Sequence, residues 1–204
     1  MRTKTKQELF WEGKFGADYT ERNAIVPEAR RGFFERILSR TFGVQSICEL
    51  GSNRGHNLQA LSQISPNFQL TGVEINAEAF ALLKKIESVN AVQAAIQEFS
   101  ASEPFDLVFI AGVLIHISPE DLPAVYAKMA SLSKRYVLIN EYFNPSPVEI
   151  EYRGHEKVLF KRDFAGEFLD ATKDSFEVVD YGFLWSRVEP AWDNSSWFLM
   201  QRKA

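Results

Sequence analysis

The chain has 204 residues, of which 46% are hydrophobic and 25% charged, and its formal net charge at pH 7 is −4. This length and hydrophobic content are sufficient to bury one sizeable core, so we expect a single domain over residues 1–204. Acidic and basic residues are spread along the chain without a basic stripe, which argues against nucleic acid as a partner.

The first 26 residues differ in pattern from the rest. Their start, Met1 to Glu8, lacks the apolar core of a signal peptide. Aromatic residues then alternate with glycines: Phe10, Trp11, Gly13, Phe15, Gly16 and Tyr19. This pattern suits a cap over a pocket better than a core element, so residues 1–26 are predicted to form such a cap. An arm packed on the surface is the alternative interpretation.

From residue 27 to about residue 141, strand-like runs alternate with helix-like stretches, which predicts a parallel sheet. The opening helix begins at Pro27 as an N1-type proline and is stopped by Gly43. Its apolar side chains at helical spacing are Phe33, Phe34, Ile37, Leu38 and Phe42. The predicted strands cover residues 44–50, 68–75, 91–96, 105–111 and 136–141. Asn76 and Ser118 are the predicted N-caps of later helices.

The only cysteine, Cys48, lies in the first of these strands. A single cysteine cannot form an internal disulfide, which favours a reducing compartment. No apolar run approaches the roughly 20 residues that a membrane helix needs. We therefore expect a cytoplasmic protein without a membrane partner, present as a monomer or homodimer.

After residue 141 the alternation changes, because Asn144-Pro-Ser-Pro breaks regular structure. A charged segment follows and leads to a helix predicted over residues 164–171. Two last strands, 176–185 and 196–201, are separated by Pro190 and Asp193-Asn194. This suits an antiparallel hairpin at the end of a mostly parallel sheet.

A turn with Gly51 and Gly55 follows the first strand, and a helix is predicted to start near Asn57. Glycine lets the backbone approach a ligand, and free N–H groups at a helix start favour an electron-rich group. A dinucleotide fingerprint would require glycine at positions 53 and 56, where asparagine and histidine stand, and the Gly-Lys-Ser/Thr of a P-loop is absent. Both rival nucleotide classes are therefore disfavoured.

Glu74 ends the second strand, roughly 20 residues beyond the glycine turn, where an acid can accept both hydroxyls of a ribose. A solvated acid at a strand end is the alternative, and the apolar residues around Glu74 argue against it. The spacing of Glu74 from the turn is more specific than either feature alone.

The pattern Glu49-x-Gly51-x-x-x-Gly55, together with Glu74 and the run from Phe105 to His116, resembles the motif series of class I S-adenosylmethionine-dependent methyltransferases. The resemblance covers residues 44 to about 141. It implies an α/β, Rossmann-like, doubly wound sheet of seven mostly parallel strands, with one antiparallel strand and helices on both faces. S-adenosylmethionine is then expected across the carboxyl ends of the parallel strands.

The same resemblance implies roles at matching positions. Gly51, Ser52 and Asn53 would hold the methionine part, Glu74 the ribose, and Ala95 and Ile96 the adenine ring. Gln97 departs from the commoner pattern, in which an acid meets the adenine amine. The full predicted cofactor-binding set is Glu49, Gly51, Ser52, Asn53, Gly55, Asn57, Glu74, Ile75, Ala95, Ile96 and Ala111.

The flanking segments resemble a narrower group, the methylases associated with pseudaminic acid biosynthesis. The similar segments are residues 10–23, 153–154, 159–166 and 193–199. With them, the resemblance spans nearly the whole chain. It implies no particular acceptor atom.

Methyl transfer from a sulfonium relies mainly on alignment in a dry pocket, and a base serves only acceptors that carry a removable proton. The catalytic candidates are His116, the best-placed base, with Glu141 and Tyr19. A packed histidine and an ordinary strand-end glutamate are the alternatives for the first two. The predicted acceptor-binding residues are Arg22, Asn23, Tyr142, Arg153 and Arg162.

Arginine binds carboxylate or phosphate through a planar fork, so the acceptor is predicted to be a small, anionic, sugar-like or amino-acid-like molecule methylated on oxygen or nitrogen. No metal site is expected, because the three histidines are widely separated. A non-catalytic S-adenosylmethionine-binding scaffold or regulatory module is the alternative function. A nucleotide-sugar oxidoreductase is disfavoured, since the third glycine and a Tyr-x-x-x-Lys pair are missing.

Overall fold

The computed structural model describes residues 3–22, 25–173 and 175–203. Three helices come first: α1 Lys6–Glu12, α2 Lys14–Arg22 and α3 Glu28–Leu38. The alternating part follows as β1 Ser46–Leu50, α4 His56–Ile64, β2 Gln69–Glu74, α5 Ala77–Leu83, β3 Val89–Gln93, β4 Phe105–Ala111, α6 Leu122–Leu132 and β5 Ser133–Glu141. The chain ends with β6 Val148–Tyr152, β7 His155–Lys161, α7 Phe164–Ala171, β8 Phe176–Leu184 and β9 Ser195–Arg202.

The main sheet has seven strands in the order β3-β2-β1-β4-β5-β9-β8. The pairs among β1 to β5 are parallel, and β9 runs antiparallel to both of its neighbours, β5 and β8. The predicted mostly parallel sheet with one antiparallel strand is confirmed. Strand order reverses at β1, with β2 on one side and β4 on the other, and ligands in such sheets bind outside the carboxyl ends of the strands at this point.

Alternate residues of the central strands contribute to two separate hydrophobic clusters. In β4, Val108 and Ile110 belong to a cluster that also contains side chains of α6 and α7. Leu107 and Phe109 belong to the other cluster, with side chains of α3 and α4. Successive strand side chains point to opposite faces of a sheet, so the continuous apolar run of β4 reflects burial on both faces.

Strands β6 and β7 form a separate antiparallel hairpin, which was not predicted. The period-two alternation of Val148, Ile150 and Tyr152 with acidic residues is the strand signal that was overlooked. The turn of the hairpin is Arg153-Gly154, with φ of 52° and 80°. Positive φ at both central residues is what a type I′ turn requires, and the glycine meets this condition without steric cost.

The N-terminal segment is largely helical. Helix α1 begins with a capping box, in which the Thr5 side chain accepts from the Glu8 N–H and the Glu8 carboxylate accepts from the Thr5 N–H. This S/T-x-x-E signature is present in the sequence and predicts a helix start.

Several predicted boundaries were wrong by a few residues. Helix α3 begins after Pro27, which is its N-cap, and ends at Leu38, so that Phe42 lies beyond it and is 83% exposed. Helix α6 begins at Leu122 with Asp121 as N-cap, because the chain first makes a turn in which the Ser118 carbonyl accepts from the Asp121 N–H. The predicted N-cap at Asn76 is confirmed by its bonds to Glu78 N and Ala79 N. None of the described helices combines the length and the apolar character needed to cross a bilayer.

Candidate active site

A cavity of about 600 Å³ lies at the carboxyl ends of the parallel strands. Its walls come from the ends of β1, β2, β4 and β5, from α1 and α2, from the β6–β7 hairpin and from the segment between β8 and β9. The strand reversal at β1 therefore opens into a space that is also bounded by the N-terminal helices and by the β6–β7 hairpin.

The glycine turn is fixed by Glu74. The Asn53 N–H donates to Glu74 Oε2 and the Asn76 N–H to Glu74 Oε1, both at 2.7 Å. Gly51 has φ of 77°, and a Cβ there would lie 2.6 Å from Val113 Cγ2. Burial raises the pKa of Glu74, and the two backbone donors oppose that effect. The acid and the turn are thus joined by a direct hydrogen bond.

A chain of side-chain contacts leads from Glu49 to the wall segment between β8 and β9. Asn57 Nδ2 donates to Glu49 Oε1 at 2.5 Å, and Arg30 Nη1 donates to Asn57 Oδ1 at 2.8 Å. Arg30 also donates to the Ala191 carbonyl through Nε and Nη2, and its guanidinium lies 4.1 Å from the Trp192 ring centroid. Arg30, on α3, therefore joins the end of β1 to the segment between β8 and β9.

Glu49 is 2% exposed, and its Oε2 has no hydrogen-bond partner among the described residues. Burial raises the pKa of Glu49 to about 8, against the lowering effect of the Asn57 hydrogen bond and the Arg30 charge. An unpartnered buried carboxylate oxygen costs free energy, so its position on the cavity wall points to a ligand with a donor or a positive charge.

His116 is buried on the wall formed by the 3₁₀ turn Leu114–His116. Its Nδ1–H donates to the Val158 carbonyl of β7 at 2.6 Å, which leaves Nε2 with a lone pair. Burial lowers the pKa of His116 to about 4, so the ring is neutral at pH 7. The ring centroid lies 4.4 Å from that of Trp11 and 5.4 Å from that of Tyr152.

The carboxylate of Glu141 accepts hydrogen bonds from the backbone of the same turn. Its Oε1 accepts from the N–H groups of Val113 and Leu114 at 2.9 Å, and its Oε2 accepts from Ile115 N at 3.4 Å. Burial raises the pKa of Glu141 to about 7, and these backbone donors lower it. The carboxylate therefore anchors the turn that carries His116.

The N-terminal helices and the hairpin meet through aromatic rings. Phe10 and Phe15 stack with centroids 4.1 Å apart, and both contact the ring of His155. Phe15 also approaches Tyr152, while Tyr19 packs edge-on against Trp11 at 5.3 Å. This contact brings two segments that lie more than 130 residues apart together over the cavity.

The residues predicted from sequence fall into three groups. The cavity wall includes Tyr19, Glu49, Gly51, Ser52, Asn53, Asn57, Glu74, Ile75, Ala95, Ile96, Ala111, His116, Glu141, Tyr142 and Arg153. Gly55, Arg22 and Arg162 are not part of the wall. Arg162 instead pairs with Glu167 at 2.6 Å, and Gly55 is the left-handed N-cap of α4. Asn23 lies outside the described residues.

Some wall residues were not predicted. The most prominent are Trp11, Arg30, Tyr152 and Trp192. Trp11 was visible in the sequence as part of the aromatic segment. Arg30 carried no signal, because it appears there as one of two adjacent arginines on a predicted helix. Within the described residues, no group of three His, Cys, Asp or Glu side chains is arranged to hold a metal ion.

Comparison with protein families gives one match, in which residues 47–135 correspond to the family described as "Methyltransferase domain". The matched region contains both the glycine turn and Glu74. No curated protein sequence matches the chain.

Solved structures with similar folds include two complexes with S-adenosylhomocysteine. One is 1,6-didemethyltoxoflavin-N1-methyltransferase from Burkholderia thailandensis, with a TM-score of 0.67 and 18% identity over 93% of this chain and 83% of that chain. The other is magnesium protoporphyrin IX methyltransferase from Synechocystis PCC 6803, with a TM-score of 0.69 and 14% identity over 95% and 97% of the two chains. A glycopeptide N-methyltransferase bound to S-adenosylmethionine matches with a TM-score of 0.64 and 12% identity over 85% and 87%.

The family match assigns residues 47–135, which contain the glycine turn and its strand-end acid, to a methyltransferase domain. The sheet order is that of the Rossmann-like fold, which the chain shares with solved S-adenosylmethionine-dependent methyltransferases.

Proposed function

We propose that this enzyme transfers the methyl group of S-adenosylmethionine to oxygen or nitrogen of a small molecule held in the 600 Å³ cavity. The observation that carries the proposal is the pair of buried carboxylates, Glu49 and Glu74, at the ends of adjacent parallel strands. S-adenosylmethionine supplies an activated methyl group on a sulfonium, and it also carries an ammonium group and two ribose hydroxyls.

The described residues fit this cofactor. The free Glu49 Oε2 suits the ammonium group, and each Glu74 oxygen retains a lone pair for a ribose hydroxyl besides its backbone donor. The backbone of Gly51 to Asn53 would hold the methionine part. Ala95 and Ile96, which follow β3 on the cavity wall, would enclose the adenine.

We propose that the chain is one methyltransferase domain in which residues 1–26 cap the cavity. Trp11 and Tyr19 on the wall support this, as does the Asn53 side chain, which donates to Thr20 Oγ1 at 3.0 Å. The division of the core into two clusters, each with its own helices, supports a doubly wound sheet with helices on both faces. The buried Cys48 is consistent with a cytoplasmic location.

In catalysis, the protein would mainly align the acceptor in a dry pocket. Neutral His116 would accept a hydrogen bond or proton at Nε2, although a base with a pKa of about 4 is weak, so orientation contributes more than proton removal. Glu141 would act as a positioning residue, because its oxygens already accept backbone N–H groups. Tyr19 would complete the wall on the cap side.

For the acceptor we propose a small anionic molecule, with Tyr142 and Arg153 on its binding wall. Arg153 supports this, since among the described wall residues it is the arginine without a carboxylate or amide partner. Arg162 gives no support, because Glu167 neutralises it. Arg153, Asp193 and Ser195 line the cavity and belong to the segments that resemble methylases associated with pseudaminic acid biosynthesis, which supports assignment to that narrower group.

Calorimetric titration with S-adenosylmethionine, S-adenosylhomocysteine and NAD tests the cofactor assignment. Wild type should bind the first two and not NAD, and Glu74→Ala should weaken both by about ten- to a hundredfold, the equivalent of hydrogen bonds to a charged group. Glu177→Ala, an exposed change on β8, is the control.

A second experiment compares turnover of anionic acceptors with turnover of their neutral analogues. Wild type should prefer the anionic acceptors, and Arg153→Ala should remove this preference. Failure of wild type to bind S-adenosylmethionine contradicts the cofactor assignment. Preference of wild type for neutral acceptors contradicts the anionic substrate class alone.

A further inference from the structure

We infer that Arg30 is a positioning residue that fixes one oxygen of Glu49 toward the cofactor and ties it to the Ala191-Trp192 wall on the acceptor side. The inference rests on the proposed function, because it assumes that Glu49 meets the ammonium group. Arg30 lies on α3, outside the glycine turn and all other motif segments.

The chemistry of Arg30 determines how the Asn57 amide is oriented. A guanidinium has only donors, so the oxygen of Asn57 must face Arg30, and the bond to Nη1 is 2.8 Å. The amide nitrogen is then directed to Glu49 Oε1, at 2.5 Å. With the opposite amide orientation, the Asn57 oxygen would face the carboxylate and no hydrogen bond would form when Glu49 is ionised.

Glu49 consequently has one oxygen engaged and one available. Oε1 is held by Asn57, whereas Oε2 is buried without a partner among the described residues. Held in this way, the carboxylate cannot rotate to turn both oxygens toward the cavity without losing the Asn57 bond. Arg30 thus determines, through Asn57, which atom of Glu49 meets the ligand.

The remaining groups of Arg30 contact the wall segment that precedes β9. Nε and Nη2 donate to the Ala191 carbonyl at 3.2 Å and 3.1 Å, and the guanidinium stacks on Trp192, which is 6% exposed. Ala191 and Trp192 both line the cavity. One side chain therefore sets the distance between the cofactor side and the segment that precedes β9.

Arg30 also affects the ionisation of Glu49. Its positive charge lowers the pKa of Glu49, opposing burial, which raises it to about 8. The other titratable groups that interact with this cluster are Glu74, Cys48, His56, Tyr19 and Asp193. Since an ammonium group requires the ionised carboxylate, binding should strengthen as the pH rises toward 8.

The experiment is calorimetric binding of S-adenosylhomocysteine between pH 6 and 9. In wild type, affinity should rise with pH and level off near pH 8. Arg30→Met should weaken binding about tenfold or more at pH 7 and move the midpoint of the profile to higher pH, because the cation that favours the carboxylate is lost. Arg30→Lys keeps the charge without the fork, so it should weaken binding with a smaller shift of the midpoint.

Arg31→Met is the matched control, because Arg31 is the next residue of α3 and is exposed in a pair with Glu35. Asn57→Ala should reproduce the loss of affinity and provides a second route if Arg30→Met does not fold. The inference would be overturned if Arg30→Met bound S-adenosylhomocysteine with wild-type affinity and an unchanged midpoint. If only Asn57→Ala folds, the same result in that variant would overturn it. Absence of binding by wild type would instead contradict the proposed function.

Discussion

Gly51 shows how closely a single position is constrained in the glycine turn. Its φ of 77° is in the left-handed region, and an added Cβ would lie 2.6 Å from Val113 Cγ2. We expect Gly51→Ala to destabilise the protein by about 2–4 kcal/mol, the sum of roughly 1 kcal/mol of backbone strain and 1–3 kcal/mol of overpacking. Urea unfolding at pH 7 measures this loss.

Gly154→Ala separates the two contributions. Gly154 has φ of 80°, and a Cβ there would have no atom within 4 Å, so this variant should show the strain of about 1 kcal/mol alone. Equal losses in the two variants would mean that Val113 moves aside at no cost, which would refute the packing part of the prediction.

Asn76 connects two elements at the edge of the site. Its Oδ1 caps α5 by accepting from Glu78 N and Ala79 N, and its Nδ2 donates to the carbonyls of Trp11, Glu12 and Gly13 at 3.0 to 3.2 Å. Helix α1 is therefore attached through the same side chain that caps α5.

Asn76→Asp retains the cap acceptor and removes the donor to α1. We expect it to accelerate amide hydrogen exchange in residues 6–22, while the stability of the sheet changes little. Asn76→Ala should have the same effect on exchange and lose about 1 kcal/mol in addition, because the helix cap is also removed. Unchanged exchange in residues 6–22 of Asn76→Asp would contradict the role of the Asn76 amide in holding the N-terminal helices.

At the scale of the whole molecule, buried ionisable groups make stability depend on pH. Glu49 and Glu141 have pKa values raised to about 8 and about 7 by burial, so the folded state retains protons that the unfolded chain has released above its pKa of about 4.5. His56 and His116, lowered to about 4, act in the opposite sense, and their effect fades as the pH rises above the unfolded-state pKa of 6.5. Between pH 6.5 and 8 the carboxyl groups dominate.

We therefore expect the ligand-free protein to lose roughly 1 kcal/mol of unfolding free energy from pH 6.5 to 8, since the folded state binds more protons in this window. Urea unfolding at three pH values measures the slope. Glu49→Gln should reduce it, and Glu87→Gln, an exposed change, should not. A stability that rises over this range would contradict the assignment of Glu49 as protonated in the folded state.

The sequence alone determined the elements whose signals are local. The continuous apolar run of β4 was predicted with its observed bounds, 105–111, and helix α7 with 164–171. The glycine turn and Glu74 were predicted as one site because strand length and the parallel crossover fix their separation. Local spacing is sufficient here, since neighbouring parallel strands bring their carboxyl ends to one edge of the sheet.

Only the tertiary structure decided which side chains complete the site. Arg30 contacts Ala191 across 161 residues, and Phe15 meets the β6–β7 hairpin, neither of which a short sequence window records. Arg162 was expected at the acceptor and instead pairs with Glu167, five residues later in α7. The physical reason is that an arginine binds whichever acceptor folding brings near, and for Arg30 that acceptor lies near the other end of the chain.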